Sequence, residues 1–124
     1  MSNQLKIGKE RLSRVLGVLK NALDRRVTLP ILQHIYLKSD GKELVLKATD
    51  MDLSFESTIP IEGQGSWSAT IPGRKFIDTI QSFPTAELTL ELTDSGNRLW
   101  VRAKDMNSEQ NIQPSDGYPD LPSN

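Results

Sequence analysis

There is no cysteine among the 124 residues, which excludes a disulfide framework and any thiolate metal site; a reducing compartment fits that composition without being proved by it. Long apolar runs are missing too. The first residues, Met1-Ser2-Asn3-Gln4-Leu5-Lys6, are largely polar, and no later segment approaches the roughly 18 apolar residues of a membrane helix. A soluble, cytoplasmic protein with no membrane partner is therefore expected. Histidine occurs once, at His34, between apolar neighbours and mid-strand, with no nucleophile motif beside it. It reads as a partly buried structural side chain rather than a general base. A glycine-rich phosphate loop is also lacking, because Gly63-Gln64-Gly65 has neither the later glycine nor the following helix. These gaps argue against an enzyme, and neither a cofactor nor a bound metal is expected. One carboxylate pair, Asp50 and Asp52, would share a face of a strand and can ligate a hard cation such as Mg²⁺, but a turn or solvated edge is the plainer reading.

What is present fits one domain large enough to close a hydrophobic core without covalent staples. The net charge is only −1, yet it is unevenly spread. Residues 1–40 hold eight basic side chains against three acidic ones, whereas the remainder holds seven against thirteen. A polyanion-facing surface would produce such a division, and so would ordinary solvated faces.

Apolar spacing separates two helices from many strands. Between Lys9 and Leu23, the residues Leu12, Val15, Leu16, Leu19, Ala22 and Leu23 recur every three or four positions, the stripe of an amphipathic helix about 22 Å long. Its opposite face carries Glu10, Ser13, Arg14, Gly17 and Asn21, with Lys20 and Arg25 at the margins. After Pro30 the period changes to two. Strands over residues 31–38 and 43–48 flank Asp40-Gly41, a strong hairpin signal. Further strands are expected over residues 53–59 and 65–71. A second helix follows from Gly73 to Ser82, opened by Pro72, burying Phe76, Ile77 and Ile80 and showing Arg74, Lys75, Asp78 and Gln81 outward. Residues 87–92, 98–103 and, weakly, 105–112 complete the strands, with one more at residues 4–7. The order is that of an α+β domain with two helices packed on antiparallel sheet of about eight strands. Residues 1–113 form this domain, and 114–124, with three prolines, read as an extended linker that would lead to a second domain.

Four strings then occur in a fixed order: Arg25-Arg26-Val27-Thr28-Leu29-Pro30-Ile31-Leu32, Thr49-Asp50-Met51-Asp52-Leu53, Pro72-Gly73-Arg74-Lys75-Phe76 and Gly117-Tyr118-Pro119-Asp120-Leu121. In that order the chain resembles the first domain of the bacterial DNA sliding clamps, the beta subunits of DNA polymerase III, over nearly its whole length. The resemblance implies a DNA clamp fold, two helices lining the inside of a ring, antiparallel sheets as its outer wall, and no catalysis. It implies a replication processivity factor that encircles double-stranded DNA without reading sequence, as a homo-oligomeric ring in the full-length protein. DNA polymerase III and the clamp loader would be met through domains absent from this segment. Arg26 matches the family's DNA-contacting loop arginine and Arg74 a basic residue at the start of its second helix. Arg25 and Arg14 come next, then Lys75, Lys20 and Lys9. Such residues must attract phosphate at long range while letting the duplex slide. Without the resemblance, Lys and Arg on the wet side of a helix would be read as solubilising only.

The same resemblance marks residues 105–112 as the edge that meets the neighbouring subunit, with Met106, Ser108, Gln110 and Ile112 as its side chains. Here the chain departs from the family, which usually places a large apolar residue where Ser108 and Gln110 stand. Each large apolar side chain missing from the joint removes about 1.5–3 kcal/mol of burial, so this edge is expected to close a ring poorly or to rely on Met106 and Ile112. The alternative is a stand-alone clamp-like domain that assembles with itself or modulates a complete clamp.

Overall fold

Strand and helix boundaries in the computed structural model fall where the apolar period changes. The structure describes residues 3–23, 33–49, 54–93, 96–103 and 106–113. In chain order these form β1 (Asn3–Gly8), α1 (Lys9–Leu23), β2 (His34–Ser39), β3 (Glu43–Thr49), β4 (Ser54–Pro60), β5 (Glu62–Gly63), β6 (Trp67–Pro72), α2 (Gly73–Ser82), β7 (Glu87–Leu92), β8 (Arg98–Arg102) and β9 (Asn107–Asn111). The α+β class is therefore as expected, with nine strands among the described residues rather than about eight.

Two antiparallel sheets hold them, one ordered β5-β1-β7-β8-β9 and the other β4-β3-β2-β6. β1, β2, β7 and β8 bury alternate residues. Leu5 and Ile7 of β1, Leu88, Leu90 and Leu92 of β7, and Leu99 and Val101 of β8 all enter one continuous core with Ile35, Leu37, Leu44, Leu46 and Ile71 of the other sheet. The β2–β3 hairpin turns at Asp40-Gly41. The Asp40 carboxylate accepts the Lys42 and Glu43 N–H groups at 2.8 Å each, and Gly41 takes φ 92°, a left-handed value that glycine adopts at little cost. The backbone donors, Glu43 before Lys42, hold the exposed Asp40 carboxyl below its ordinary pKa.

α1 lies over β3 and β4, α2 over β2 and β6, and the two helices pack side by side. Leu12, Leu16, Leu19, Ala22 and Leu23 of α1 are buried, as are Phe76, Ile77 and Ile80 of α2. Gly73 makes their close approach possible: a β-carbon there would run into the Leu23 side chain and stand 3.1 Å from the Gln33 carbonyl oxygen. Beyond β9, Gln113 exchanges two backbone hydrogen bonds of 2.9 Å with Thr70 of β6, joining the edges of the two sheets.

Three details differ from the sequence expectation. β5 is an addition, because two residues carry no period; it pairs with β1 through Leu5 and Gly63 and through Lys6 and Glu62. His34 opens β2 rather than lying mid-strand, and its Nδ1 lies 3.2 Å from the buried Thr70 hydroxyl. The strand expected over 65–71 starts at Trp67, and the last one is confined to Asn107–Asn111. Asp50, Asp52, Leu53 and the expected linker 114–124 lie outside the described residues.

Candidate nucleic-acid interface and strand edge

Because both helices bury one side on the same sheet, their remaining sides form a single solvent-facing layer. On α1 this layer carries Glu10, Arg14, Gly17, Lys20 and Asn21, all exposed, and on α2 Arg74, Lys75, Asp78 and Gln81. Arg14 is tied to Glu10 one turn earlier at 3.1 Å, with both side chains largely in water (73% and 89% exposed). Such an exposed pair is worth at most a few tenths of a kcal/mol, so it tempers the Arg14 charge without pinning the side chain.

Two of the cations sit at the margins of the layer. Half-buried Lys9 lines a groove of about 750 Å³ at the start of α1, shared with Arg11, Ser13, Arg14 and the Pro84–Ala86 turn. Arg11, exposed at the rim of that groove, is a further cation outside the set expected from the sequence; its position two residues from Lys9 and three from Arg14 is the signal that could have found it. Lys75 lines a second groove with Asp78, Thr79, Ser108 and Gln110, and its backbone carbonyl meets β9 through Gln110. Arg25 and Arg26 lie outside the described residues. Among the described residues no group of three or more His, Cys, Asp or Glu side chains could hold a metal, and no helix is long and apolar enough to cross a membrane.

β9 ends its sheet. The Ala103 N–H bonds to the Met106 carbonyl at 2.8 Å and the Ile112 N–H to the Asn97 carbonyl at 3.1 Å, so the even-numbered residues of β9 turn their backbone groups toward β8. Antiparallel alternation then turns the N–H and C=O groups of Asn107, Glu109 and Asn111 outward. The side chains of Ser108 and Gln110 point the other way, opposite Val101 and Leu99 on the core side of the sheet. There the Gln110 amide donates to the Lys75 carbonyl oxygen at 3.3 Å and to the Thr79 hydroxyl, fastening β9 to α2. Met106 is 37% exposed, whereas Ile112 is only 6% exposed and belongs to the core. Of the four edge side chains expected from the sequence, Ile112 is thus placed inside the domain, because the strand stops before it and the chain turns in to meet Thr70.

The opposite face of this sheet is polar. Arg102 stacks on the Trp100 ring at 4.5 Å and pairs with Glu91 at 3.3 Å, while Arg98 pairs with Glu109 at 2.7 Å. Cross-strand charge of this kind suits a water-facing wall.

A family model described as the N-terminal domain of the DNA polymerase III beta subunit matches residues 3–122, almost the full length. The chain belongs to the DNA polymerase III beta subunit family. As a clamp N-terminal domain it is 32% identical over 117 residues to the beta sliding clamp of Proteus mirabilis, covering 93% of this chain but 31% of that protein. With the beta sliding clamp of Vibrio harveyi it shares 29% over 116 residues, 93% of this chain and 79% of the relative. The chain thus spans about a third of the longer clamp relatives. Among solved structures, the DNA polymerase sliding clamp of Bacillus subtilis superposes with a TM-score of 0.90 at 24% identity, over 99% of this chain and 34% of that one. The Helicobacter pylori beta clamp superposes with a TM-score of 0.86 at 26% identity, over 97% of this chain and 32% of that one.

Proposed function

We propose that this clamp domain is part of the wall of a ring that encircles duplex DNA and serves as a replication processivity factor. Membership of the beta subunit family carries the reading, and the helix layer supports it: cations on α1 and α2 offer phosphate-directed attraction with no arrangement for reading base edges. On this reading Arg26 and Arg74 are the first contacts to the duplex backbone and Arg25 and Arg14 the next, with Lys75, Lys20 and Lys9 adding field. Residues 1–113 make the domain, and 114–124 lead onward to a second one. Contacts with DNA polymerase III and a clamp loader belong to domains outside this chain, the protein acts in the cytoplasm, and no step is enzymatic.

The test is duplex binding by the domain at low salt, followed residue by residue by NMR. Binding should be weak, at or beyond about 10⁻⁴ M, independent of sequence and strongly salt-dependent. Shifts confined to the helix layer support the reading; a preference for one duplex sequence, or shifts confined to the outer sheet, refutes it. A second reading, an interaction module that modulates a complete clamp or assembles with itself, is favoured by the polar edge that β9 leaves unpaired among the described residues. It is distinguished by sedimentation of the chain alone and with a complete clamp.

A further inference from the structure

We propose that Ile112 and Gln113 form a latch across the seam between the two sheets, one that opens as a unit while the core stays folded. β9 ends at Asn111, and the chain then crosses from its own sheet to the edge of the other. Three backbone hydrogen bonds hold it there. The Ile112 N–H donates to the Asn97 carbonyl at 3.1 Å, and Gln113 and Thr70 exchange a pair at 2.9 Å. Thr70 stands opposite Tyr36 of β2, yet its N–H and C=O both turn away from that strand to Gln113, so the latch alone covers them. The one apolar side chain that the latch buries is Ile112, 6% exposed; Gln113 is exposed.

The sequence stops this pairing from growing into a strand toward β9. In antiparallel register the next hydrogen-bonded pair on that side would join Pro72 to Asn111, and proline has no N–H to donate. Thr70 and Gln113 accordingly form an isolated bridge. Pro114 follows Gln113, and a residue before proline favours extended backbone, which suits Gln113 to the bridge. A closure built from so few groups belongs with the segments that open locally, well below the free energy of global unfolding. Opening would bare one isoleucine and the outer edge of β6 at Thr70, while the ladders of both sheets stay paired. It would also release about 7 Å of extended chain. That slack gives play to whatever follows Gln113, a use that rests on the reading of residues 114–124 as a linker.

Native-state hydrogen exchange tests the latch, read by NMR on the isotopically labelled 124-residue chain at rising urea below the unfolding transition. The reporters are the amides of Thr70, Ile112 and Gln113. Leu37 and Leu90, fully buried in interior strands of the two sheets, serve as references. After correction for intrinsic rates, the reporters should be protected, yet exchange at least about tenfold faster than the references and almost independently of urea, because a local opening exposes little surface. Substitution Ile112→Ser should speed Thr70 and Gln113 by about tenfold or more, the equilibrium counterpart of one buried isoleucine, still without urea dependence. The series on the unaltered chain stands by itself should that variant fold poorly. Reporter rates that equal those of Leu37 and Leu90 and climb with urea in parallel would make residues 112 and 113 part of the global core and overturn the latch. Exchange of the reporters at unprotected rates would overturn it as well, since no closed latch would then exist. No duplex enters this experiment, so its failure leaves the ring reading standing.

Discussion

Replacing Gly73 by alanine should loosen the helix layer, and the structure supplies the terms of the prediction. The new β-carbon would overlap the end of the Leu23 side chain and sit 3.1 Å from the Gln33 carbonyl oxygen. Leu23 can rotate only into a packed core, where it is 1% exposed, and the carbonyl belongs to the backbone. Overpacking of this kind costs about 1–3 kcal/mol. Alanine regains up to about 1 kcal/mol of helix propensity over glycine, less at a first helical position. The net is a destabilisation of about 1–2 kcal/mol, or a fall in Tm of about 3–6 °C per kcal/mol for a chain of this length. Thermal unfolding by circular dichroism measures it. A double-mutant cycle with Leu23→Val identifies the cause, since trimming Leu23 should make Gly73→Ala less costly by at least about 0.5 kcal/mol. An unchanged or higher Tm for Gly73→Ala, or an equal cost in both backgrounds, would sink the claim that Gly73 sets the α1–α2 distance.

Alanine at Arg14 and at Arg74 should weaken binding to every duplex alike and lower the slope of log K against log salt by about 0.9 for each phosphate no longer neutralised; a sequence-selective weakening would count against the proposed interface. Burial holds the His34 pKa below its ordinary 6.5. The unfolded chain therefore takes up the proton first, so the stability from neutral His34 is complete above about pH 6.5 and declines as pH falls toward the folded-state value. His34→Gln should flatten that part of the stability–pH curve, measured by urea unfolding, and an unchanged curve would refute the assignment. Leucine at both Ser108 and Gln110 should promote association in sedimentation velocity, because it restores about 1.5–3 kcal/mol of apolar burial per site; an unchanged sedimentation coefficient would show that β9 is not an assembly edge.

Much of this architecture is legible in residue spacing alone. The Leu12-Leu16-Leu19-Leu23 stripe defines α1 almost to the residue, since only a 3.6-residue period places those four side chains together. Pro72 before Gly73, and Phe76 with Ile77 and Ile80 after it, define α2. Asp40-Gly41 defines its hairpin because the Asp carboxylate and the left-handed glycine act locally. β5 is not legible: Glu62-Gly63 becomes a strand only because β1 lies beside it. Nor is the burial of Ile112, which follows from the Gln113–Thr70 bridge drawing the chain inward between two sheets.

The helix-layer cations show the same division. That Arg14, Lys20, Arg74 and Lys75 leave the apolar stripes follows from position along each helix, and the four ordered strings suffice for the family resemblance. That Lys75 lines a groove beside β9, and that Arg11 joins Lys9 and Arg14 around one groove, required the packing of separate elements. The polar residues at 108 and 110 are likewise visible in the sequence as a departure from the family. Only the folded chain shows the Gln110 amide nitrogen donating to two groups of α2. Periodicity and turn chemistry act between neighbours along the chain, so residue order is enough to set the elements and their buried faces. Valence, burial and open edges depend on which distant segments meet, and that is settled only when the two sheets and two helices pack.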